Sequence, residues 1–463
     1  MRSHNLKKDD ILTVRINEIN NLGCGVGLHD ESGVVVFVSG AVTGELVKVK
    51  IIKANKSYCV AKLIDIVEIS RYREDGFCSM PSSCGGCTYR NINRDHELEL
   101  KKSYVKHAFI KAGLDDVSIG DIIYDSRRSS YRNKAQYPVG KGKNGVIAGF
   151  FAPKTHKIIP CSNCALQPDI FSEILNLFCK FTDEKNISVY DEVSGNGLIR
   201  HLYLRMGEVT GEIMVCIVIN GDTLPFSDVF TKIMTSTFPM IKSIMLNVNK
   251  RNTNVVLGDT YYTLFGKPYI TDILCGKKFR ISPGSFYQVN RRGAELLYNK
   301  AAELASFKGN ETVLDLYCGI GTIGLSMADK VKEIIGIEIV PEAVECAKEN
   351  AALNGIENAE FYCGDASSAE KLLENAKEAR MGLLNPDAVI LDPPRKGSTP
   401  ELLNYIAGIG VPKIIYISCD PDTLARDCVI LKDLGYNIGV VTPVDMFPAT
   451  GHVECCVLLC REN

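Results

Sequence analysis

A thiol attacks an electron-poor ring carbon only as its anion, so a cysteine placed where the anion is favoured is a candidate nucleophile. Cys419 has such a place. It closes the apolar run KIIYIS and is followed by Asp420 and Pro421, an N-cap and first-turn pair for a helix through DTLARD. The macrodipole at that helix N-terminus favours a thiolate. One of 18 cysteines can fall there by chance, so position alone leaves a structural thiol open. Glu454 strengthens the catalytic reading. It stands in HVECCVLL, where a carboxylate is costly to bury unless a salt-bridge partner or a function retains it. Partial desolvation raises a glutamate's pKa and fits it to act as a general base.

A second constellation suits a nucleotide. The run TVLDLYC leads into Gly319, Gly321 and Gly324, a G-x-G-x-x-G that opens a helix and turns backbone amides toward a ligand. Glu338 ends the next strand, where a carboxylate accepts hydrogen bonds from both ribose hydroxyls. NAD or FAD would satisfy this much equally well. Asp365, in YCGDA, ends the third strand where an adenine amino group needs an acceptor, and DPPR, Asp392 to Arg395, ends the fourth. Acids after four successive strands suit S-adenosylmethionine, whose sulfonium is positive and which has no phosphates to repel them. Helix N-capping alone explains Asp365 equally well and Asp392 poorly.

The elements that must position these residues are legible from periodicity. From about residue 290 helices and strands alternate: RRGAELLYNKAAELA, TVLDLYC, IGLSMADK, EIIGIEIV, PEAVECAKENAALNG and AEFYCGD, then a helix, AVILDPP, a helix, KIIYISCD, a helix and a closing hairpin. The alternation implies a parallel, doubly wound α/β domain that binds ligands at the carboxyl edge of its sheet. In methyltransferase sheets the closing strand runs antiparallel, which would bring the start of HVECCVLL, and Glu454 with it, to the edge carrying Cys419. Residues 11–69 read as short strands, ILTVRINEI, GVVVFVSG, GELVKVKIIKA and YCVAKLIDIVEI, separated by turns such as NNLGCGVG. That is a small all-β barrel resembling a TRAM domain, an OB-like module of RNA-modifying enzymes; a generic barrel with another partner would show the same pattern. Residues 94–113 have helical spacing and a glycine stop. Strands return between about 120 and 275, with one helical interlude, DIFSEILNLFCKF. The expected domains are 1–69, 70–285, whose helix near 94–113 packs on the catalytic domain, and 286–463.

At 463 residues the chain is long enough for about three domains, and 46% apolar with 23% charged residues excludes a largely disordered one. No apolar run approaches the roughly 18 residues that span a bilayer. The start, MRSHNLKKDD, lacks a secretory apolar region, so a cytoplasmic protein without a membrane partner is expected. A net charge of -2 predicts no nucleic-acid partner globally. Locally, Arg127 to Lys157 carries eight lysines or arginines and no acid, interleaved with Tyr131, Tyr137, Phe150 and Phe151. Cations for phosphates and rings for unstacked bases suit single-stranded RNA, although a solvated basic β-face would look alike. Cys78, Cys84 and Cys87 form C-x5-C-x2-C, and Cys161 and Cys164 a second C-x2-C; by spacing, zinc and iron-sulfur fit equally.

DPPR, SCDPDTLARD and HVEC, in this order after a D-L-Y-C-G loop, closely resemble the RNA uracil-C5 methyltransferase family. The resemblance extends over the whole chain, from the TRAM-like front through FYQVN at 286–290. It implies that Cys419 is the nucleophile, that Glu454 accepts a proton, and that Gln288, Tyr317, Glu338 and Asp392 surround S-adenosylmethionine, joining Gly319 and Asp365 from the loop pattern. Thr322 stands where some relatives carry asparagine, a departure at one cofactor contact. The chemistry needs these residue types: a soft thiolate adds at uracil C6, the resulting enolate attacks the sulfonium methyl, and the C5 proton must then leave. Arg395 could steady the O4 oxyanion. Iron-sulfur members of the family carry C-x5-C-x2-C and a distant cysteine ahead of C-x-[IL]-Q. C-A-L-Q starts here at Cys164, so the resemblance selects Cys78, Cys84, Cys87 and Cys164, rather than Cys161, as ligands of a [4Fe-4S] cluster with a structural or RNA-binding role. The cluster points to the 23S ribosomal RNA branch, with transfer RNA as the alternative substrate. The target uridine must be flipped or unpaired. No obligate protein partner is implied, and a monomer is expected. An amino-methylating enzyme built on DPP would leave Cys419 and Glu454 unexplained. A non-catalytic RNA-binding or electron-transfer protein would keep full function after Cys419→Ala.

Overall fold

In the computed structural model, which describes residues 6–365 and 385–462, five strands close into a barrel: β1 (Ile11–Ile19), β2 (Cys24–Leu28), β3 (Val35–Ser39), β4 (Leu46–Ala54) and β5 (Tyr58–Glu68), in the order β1-β2-β3-β5-β4. Val14, Ile16, Val36, Val38 and Val49 fill its interior. The sequence reading places a turn where β2 runs. Gly27 explains the difference: a Cβ there would lie 2.3 Å from the carbonyl oxygen of Arg15, so a residue that reads as a turn signal is what lets β2 pass close against β1.

Helix α1 (Arg94–Lys111) is capped by Asn93, whose side chain accepts from the His96 amide at 3.0 Å. Next come a short strand, β6 (Ile123–Tyr124), and a seven-stranded sheet with the order β13-β12-β11-β10-β7-β8-β9. It is built from β7 (Lys134–Gly142), β8 (Gly145–Phe151), β9 (Ile158–Pro160), β10 (Ile199–Met206), β11 (Ile213–Ile219), β12 (Ile241–Val248) and β13 (Thr260–Gly266). The expected interlude is α2 (Asp169–Glu184), but there is a second helix, α3 (Ser227–Thr237). Its sequence, SDVFTKIMTST, is rich in poor helix formers and buries only Phe230 and Met234. Topology demands it all the same, because β11 and β12 are parallel and need a crossover. A hairpin, β14 (Ile270–Leu274) with β15 (Lys277–Ile281), precedes α4 (Arg291–Ala305).

The C-terminal sheet has nine strands. β16 (Thr312–Leu316), β17 (Glu333–Glu338), β18 (Ala359–Cys363), β19 (Ala388–Leu391) and β20 (Lys413–Ser418) run parallel in the order β18-β17-β16-β19-β20. The sheet continues through β23 (Glu454–Arg461), antiparallel to β20, to β22 (Thr442–Asp445) and β6, while β21 (Tyr436–Ile438) pairs with β23. Successive residues serve opposite faces. Val313 and Ile334 pack in the layer of α4, α5 (Thr322–Met327) and α6 (Pro341–Leu353), whereas Leu314 and Ile335 pack with α1, α7 (Pro400–Gly408) and α8 (Pro421–Asp433). Strands covered on both faces must be apolar throughout, which is why KIIYIS and TVLDL read so plainly. The helix expected between YCGD and AVILDPP falls at 366–384, outside the described residues.

Candidate active site

The five parallel strands end at one edge, and each delivers a candidate there: Tyr317 to Gly319 after β16, Glu338 on β17, Asp365 after β18, Asp392 after β19 and Cys419 after β20. The antiparallel strand β23 starts at that edge with Glu454. Ser418 pairs with Cys455 at the end of the ladder, so Cys419, one residue past β20, and Glu454, the first residue of β23, lie at the same edge, where the carboxyl acts on the thiol.

Glu454 is 4% exposed. Burial, and then the nearby Asp392, push its carboxyl up to about 8, against the pull of Arg395. Burial alone pushes Asp392 up to about 7. The half-buried Cys419 is raised to about 11, first by burial and then by Glu454 and Asp392, with Arg395 again opposing. These influences act against the helix N-terminus, which favours a thiolate. The cap is in place, with Asp420 Oδ1 accepting from the Thr423 amide at 3.1 Å. Desolvation and three surrounding acids, Asp420 among them, raise the thiol. The thiol's proton must leave before Cys419 can add to a ring.

The glycine loop is held by carboxylates. Glu338 accepts from the Gly319 amide at 3.0 Å and from the Val340 amide at 2.9 Å, one through each oxygen. Each oxygen keeps a lone pair free for a ribose hydroxyl. Gly319 and Gly321 are left-handed at φ +56° and +82°, and so is Tyr317, at +64°, a conformation uncommon outside glycine and often found at ligand sites. Thr322 Oγ1 lies 3.4 Å from the hydroxyl of Tyr298. Gln288 is half-buried, and its backbone oxygen accepts from Asn133 at 2.9 Å; Asp365 is exposed. The sequence reading missed Asp315 as a site residue. It is fully buried, accepts from the Gly324 amide at 2.9 Å, leaves Oδ1 without a hydrogen-bond partner, and is pushed up to about 7 by burial. An acid inside the apolar TVLDL was the available signal. Acids around a loop of amides suit a cationic nucleoside better than a phosphate.

Away from this edge, Cys78, Cys84 and Cys164 all act on Cys87, which burial and these thiols push up to about 12. Cys161 feels Cys164, Cys84 and Cys78, but Cys87 is not among the groups acting on it. Among the described residues no group of three or more His, Cys, Asp or Glu side chains is arranged to hold a metal ion. The basic stretch is partly spent internally, which corrects the expected RNA footprint. Arg127 pairs with Glu208 at 3.1 Å, and Arg128 with Glu74 at 2.6 Å and Glu97 at 3.3 Å. Tyr131 and Tyr137 are core side chains whose hydroxyls bond Pro448 O and Gln167. Lys141, Lys157, Phe151 and His156 do line a groove of about 750 Å³ beside the seven-stranded sheet.

Residues 259–462 match the family described as tRNA (Uracil-5-)-methyltransferase, and residues 8–64 match the TRAM domain. The chain is 41% identical to an uncharacterized RNA methyltransferase of Clostridium acetobutylicum, over 99% of this chain and 98% of that one. It is 39% identical to another from Bacillus cereus, over 98% of each. With 28% identity and a TM-score of 0.78, over 96% of this chain and 99% of the other, the fold is similar to the crystal structure of Pyrococcus abyssi tRNA (uracil-54, C5)-methyltransferase in complex with S-adenosyl-L-homocysteine. Among the described residues no helix is long and apolar enough to cross a membrane. Matched from end to end by RNA methyltransferases, with its loop of acids and glycines at the sheet edge, the chain belongs to the TRAM-bearing RNA (uracil-5-)-methyltransferase family and uses S-adenosylmethionine as methyl donor.

Proposed function

We propose that the protein methylates C5 of one or two uridines in 23S ribosomal RNA through a covalent bond between Cys419 Sγ and uracil C6. The arrival of Cys419, just past the end of β20, and Glu454, at the start of β23, at one sheet edge carries the reading. Cys419 loses its proton to solvent and adds to C6, and the C5=C6 electrons move toward C5 and O4, where Arg395 steadies the enolate. C5 then takes the methyl group, the S–CH3 bond breaks and S-adenosylhomocysteine forms. Glu454 removes the C5 proton, the C5=C6 bond reforms and Sγ departs as thiolate. Tyr317, Gly319, Glu338, Asp365, Asp392 and Gln288 hold the methyl donor. Residues 1–69 and 70–285 hold the RNA, 286–463 carry the reaction, and the enzyme works as a cytoplasmic monomer.

Cys78, Cys84, Cys87 and Cys164 would hold a [4Fe-4S] cluster. Cys87 and Cys164 are buried thiols that both feel Cys78 and Cys84, so four soft sulfurs gather in one place, a donor set that fits such a group. Bound, the cluster would cross-link the loop at 78–87 to Cys164. Anaerobically purified protein is expected to contain iron and acid-labile sulfide in equal amounts and to show a broad visible absorbance. Cys164→Ser should lose both and Cys161→Ser keep both; the reverse would exchange the two ligands, and an iron-free wild type would remove the cluster.

The cluster supports ribosomal RNA. The Pyrococcus relative, a tRNA enzyme by its description, favours transfer RNA instead. Nucleoside mass spectrometry after incubating unmodified ribosomal and transfer RNA with enzyme and S-adenosylmethionine decides between them. 5-Methyluridine in the ribosomal RNA is the expected result, and in transfer RNA alone it overturns that substrate. For the donor, Glu338→Gln should weaken S-adenosylmethionine binding about 10- to 100-fold, since charge-assisted hydrogen bonds contribute roughly 1.5–3 kcal/mol. Unchanged affinity in calorimetry would take Glu338 out of the site.

A further inference from the structure

Glu454 is delivered by a segment without regular structure, residues 446–453, and every residue of it except Phe447 and His452 is buried. Such a loop needs its backbone satisfied, and here residues from across the chain do so. Met446 O accepts from Asn290 at 2.9 Å, Phe447 O from Lys101 Nζ at 3.0 Å, Pro448 O from the Tyr131 hydroxyl at 3.0 Å and Ala449 O from the Tyr89 amide at 3.0 Å. The Ala449 amide donates to Glu97 Oε1 at 2.7 Å. Ala449 is left-handed at φ +65°, and a Cβ on Gly451 would lie 2.1 Å from the carbonyl oxygen of Asn21 in the barrel. The loop therefore has little room to shift.

At its root lies an ion cluster that the reaction does not use. Lys101 Nζ donates to Glu97 Oε1 at 2.8 Å and to Asp445 Oδ1 at 2.6 Å, and the side chains of all three are 0% exposed. Arg94 adds a contact to Asp445 at 2.5 Å, and Arg128 one to Glu97 at 3.3 Å. Buried ion pairs are poor sources of stability because desolvation offsets attraction, and apolar residues of like volume often serve as well. What these charges add is direction: Lys101 and Glu97, one helical turn apart on α1, each grip the loop backbone while Asp445 anchors its first turn. We propose that the Lys101–Glu97–Asp445 cluster is a positioning device for Glu454, setting the carboxylate for C5 proton removal and having little influence on binding or on the earlier steps. The inference rests on the proposed role of Glu454.

The test uses full-length enzyme, S-adenosylmethionine and an RNA that the wild type methylates, with Glu454→Gln as reference. Glu97→Leu removes both the acceptor of the Ala449 amide and the partner of Lys101; Glu97→Gln keeps the acceptor and the shape. Displacing a catalytic group by about 1 Å costs about 100-fold. Glu97→Leu is therefore expected to lower kcat about 10- to 100-fold with both KM values within about twofold of wild type. It should accumulate a covalent protein–RNA species whose uracil is already methylated, while Glu97→Gln stays within about threefold of wild type. Unchanged turnover, or loss of the adduct in step with kcat, would overturn the proposal. If Glu97→Leu fails to bind S-adenosylmethionine, the charge-balanced pair Lys101→Met with Asp445→Asn is judged by the same criteria. If Glu454→Gln itself leaves no methylated adduct, the role of Glu454 fails, a result separate from normal trapping there with none in the Glu97 variant.

Discussion

Cys419→Ala is expected to bind S-adenosylmethionine as the wild type does and to form 5-methyluridine about 10⁴-fold more slowly or not at all, as removal of a covalent nucleophile does elsewhere. Binding is spared because the loop proposed to hold the donor hangs on β16 and β17, whereas Cys419 follows β20. Rate is lost because uracil C5 is a poor nucleophile until something adds at C6, and the neighbouring thiols are badly placed to substitute. Cys455 and Cys456 are fully buried within β23, and burial holds both thiols well above their ordinary range. The measurement is calorimetry for the donor beside nucleoside mass spectrometry for the product, with a denaturing gel for the protein–RNA adduct, which should vanish. Wild-type amounts of 5-methyluridine from the alanine variant would end the covalent mechanism. A methylated purine from the wild type would turn attention to Asp392 and the DPP turn as an amino-methylating edge.

Why Cys419 and Glu454 were legible in sequence is physical. A strand sealed on both faces is apolar nearly throughout, so an acid in HVECCVLL, or a polar turn beginning with a thiol at the end of KIIYIS, stands out against its surroundings. The doubly wound domain was legible for the same reason. The barrel strand β2 was not, because Gly25 and Gly27 signal a turn and a close backbone approach in the same letters. Helix α3 was not, because crossover topology and not local propensity requires it. Charge misled where its partners were remote: Arg128 and Tyr131 read as an RNA surface until Glu74, Glu97 and the 446–453 loop claimed them. The protonation state of Cys419 was beyond the sequence for a related reason. The helix dipole is written in Asp420 and Pro421, but the burial that raises the thiol, and Glu454 and Asp392 with it, come from tertiary packing.

Glu454→Gln should separate the two halves of the reaction. Glutamine fills the same space without accepting a proton, so addition and methyl transfer proceed and elimination stalls. The variant is expected to accumulate a methylated protein–RNA adduct while turnover falls about 10²- to 10⁴-fold, the usual contribution of a general base. Release of 5-methyluridine at the wild-type rate would assign the proton to another group. The pH dependence follows from the same burial. With Glu454 raised to about 8 and Cys419 to about 11, Cys419 must lose its proton before it adds to C6, and Glu454 must lose its own before it can take the one on C5. Release of 5-methyluridine from the wild-type adduct should therefore speed up with pH through about 8, and that limb should be absent from elimination in the variant. Stability should move the other way. Between the ordinary value of 4.5 and about 8 the folded chain keeps a proton on Glu454 that the unfolded chain has lost, so this group's contribution to stability falls as pH rises across that window. Glutamine does not titrate. Glu454→Gln should thus gain stability over the wild type between pH 5 and pH 8, by an amount on the order of a few kcal/mol, read as a growing difference in Tm. A gain of that size would mark Glu454 as a carboxylic acid kept at a cost to stability, as the proposed proton acceptor requires.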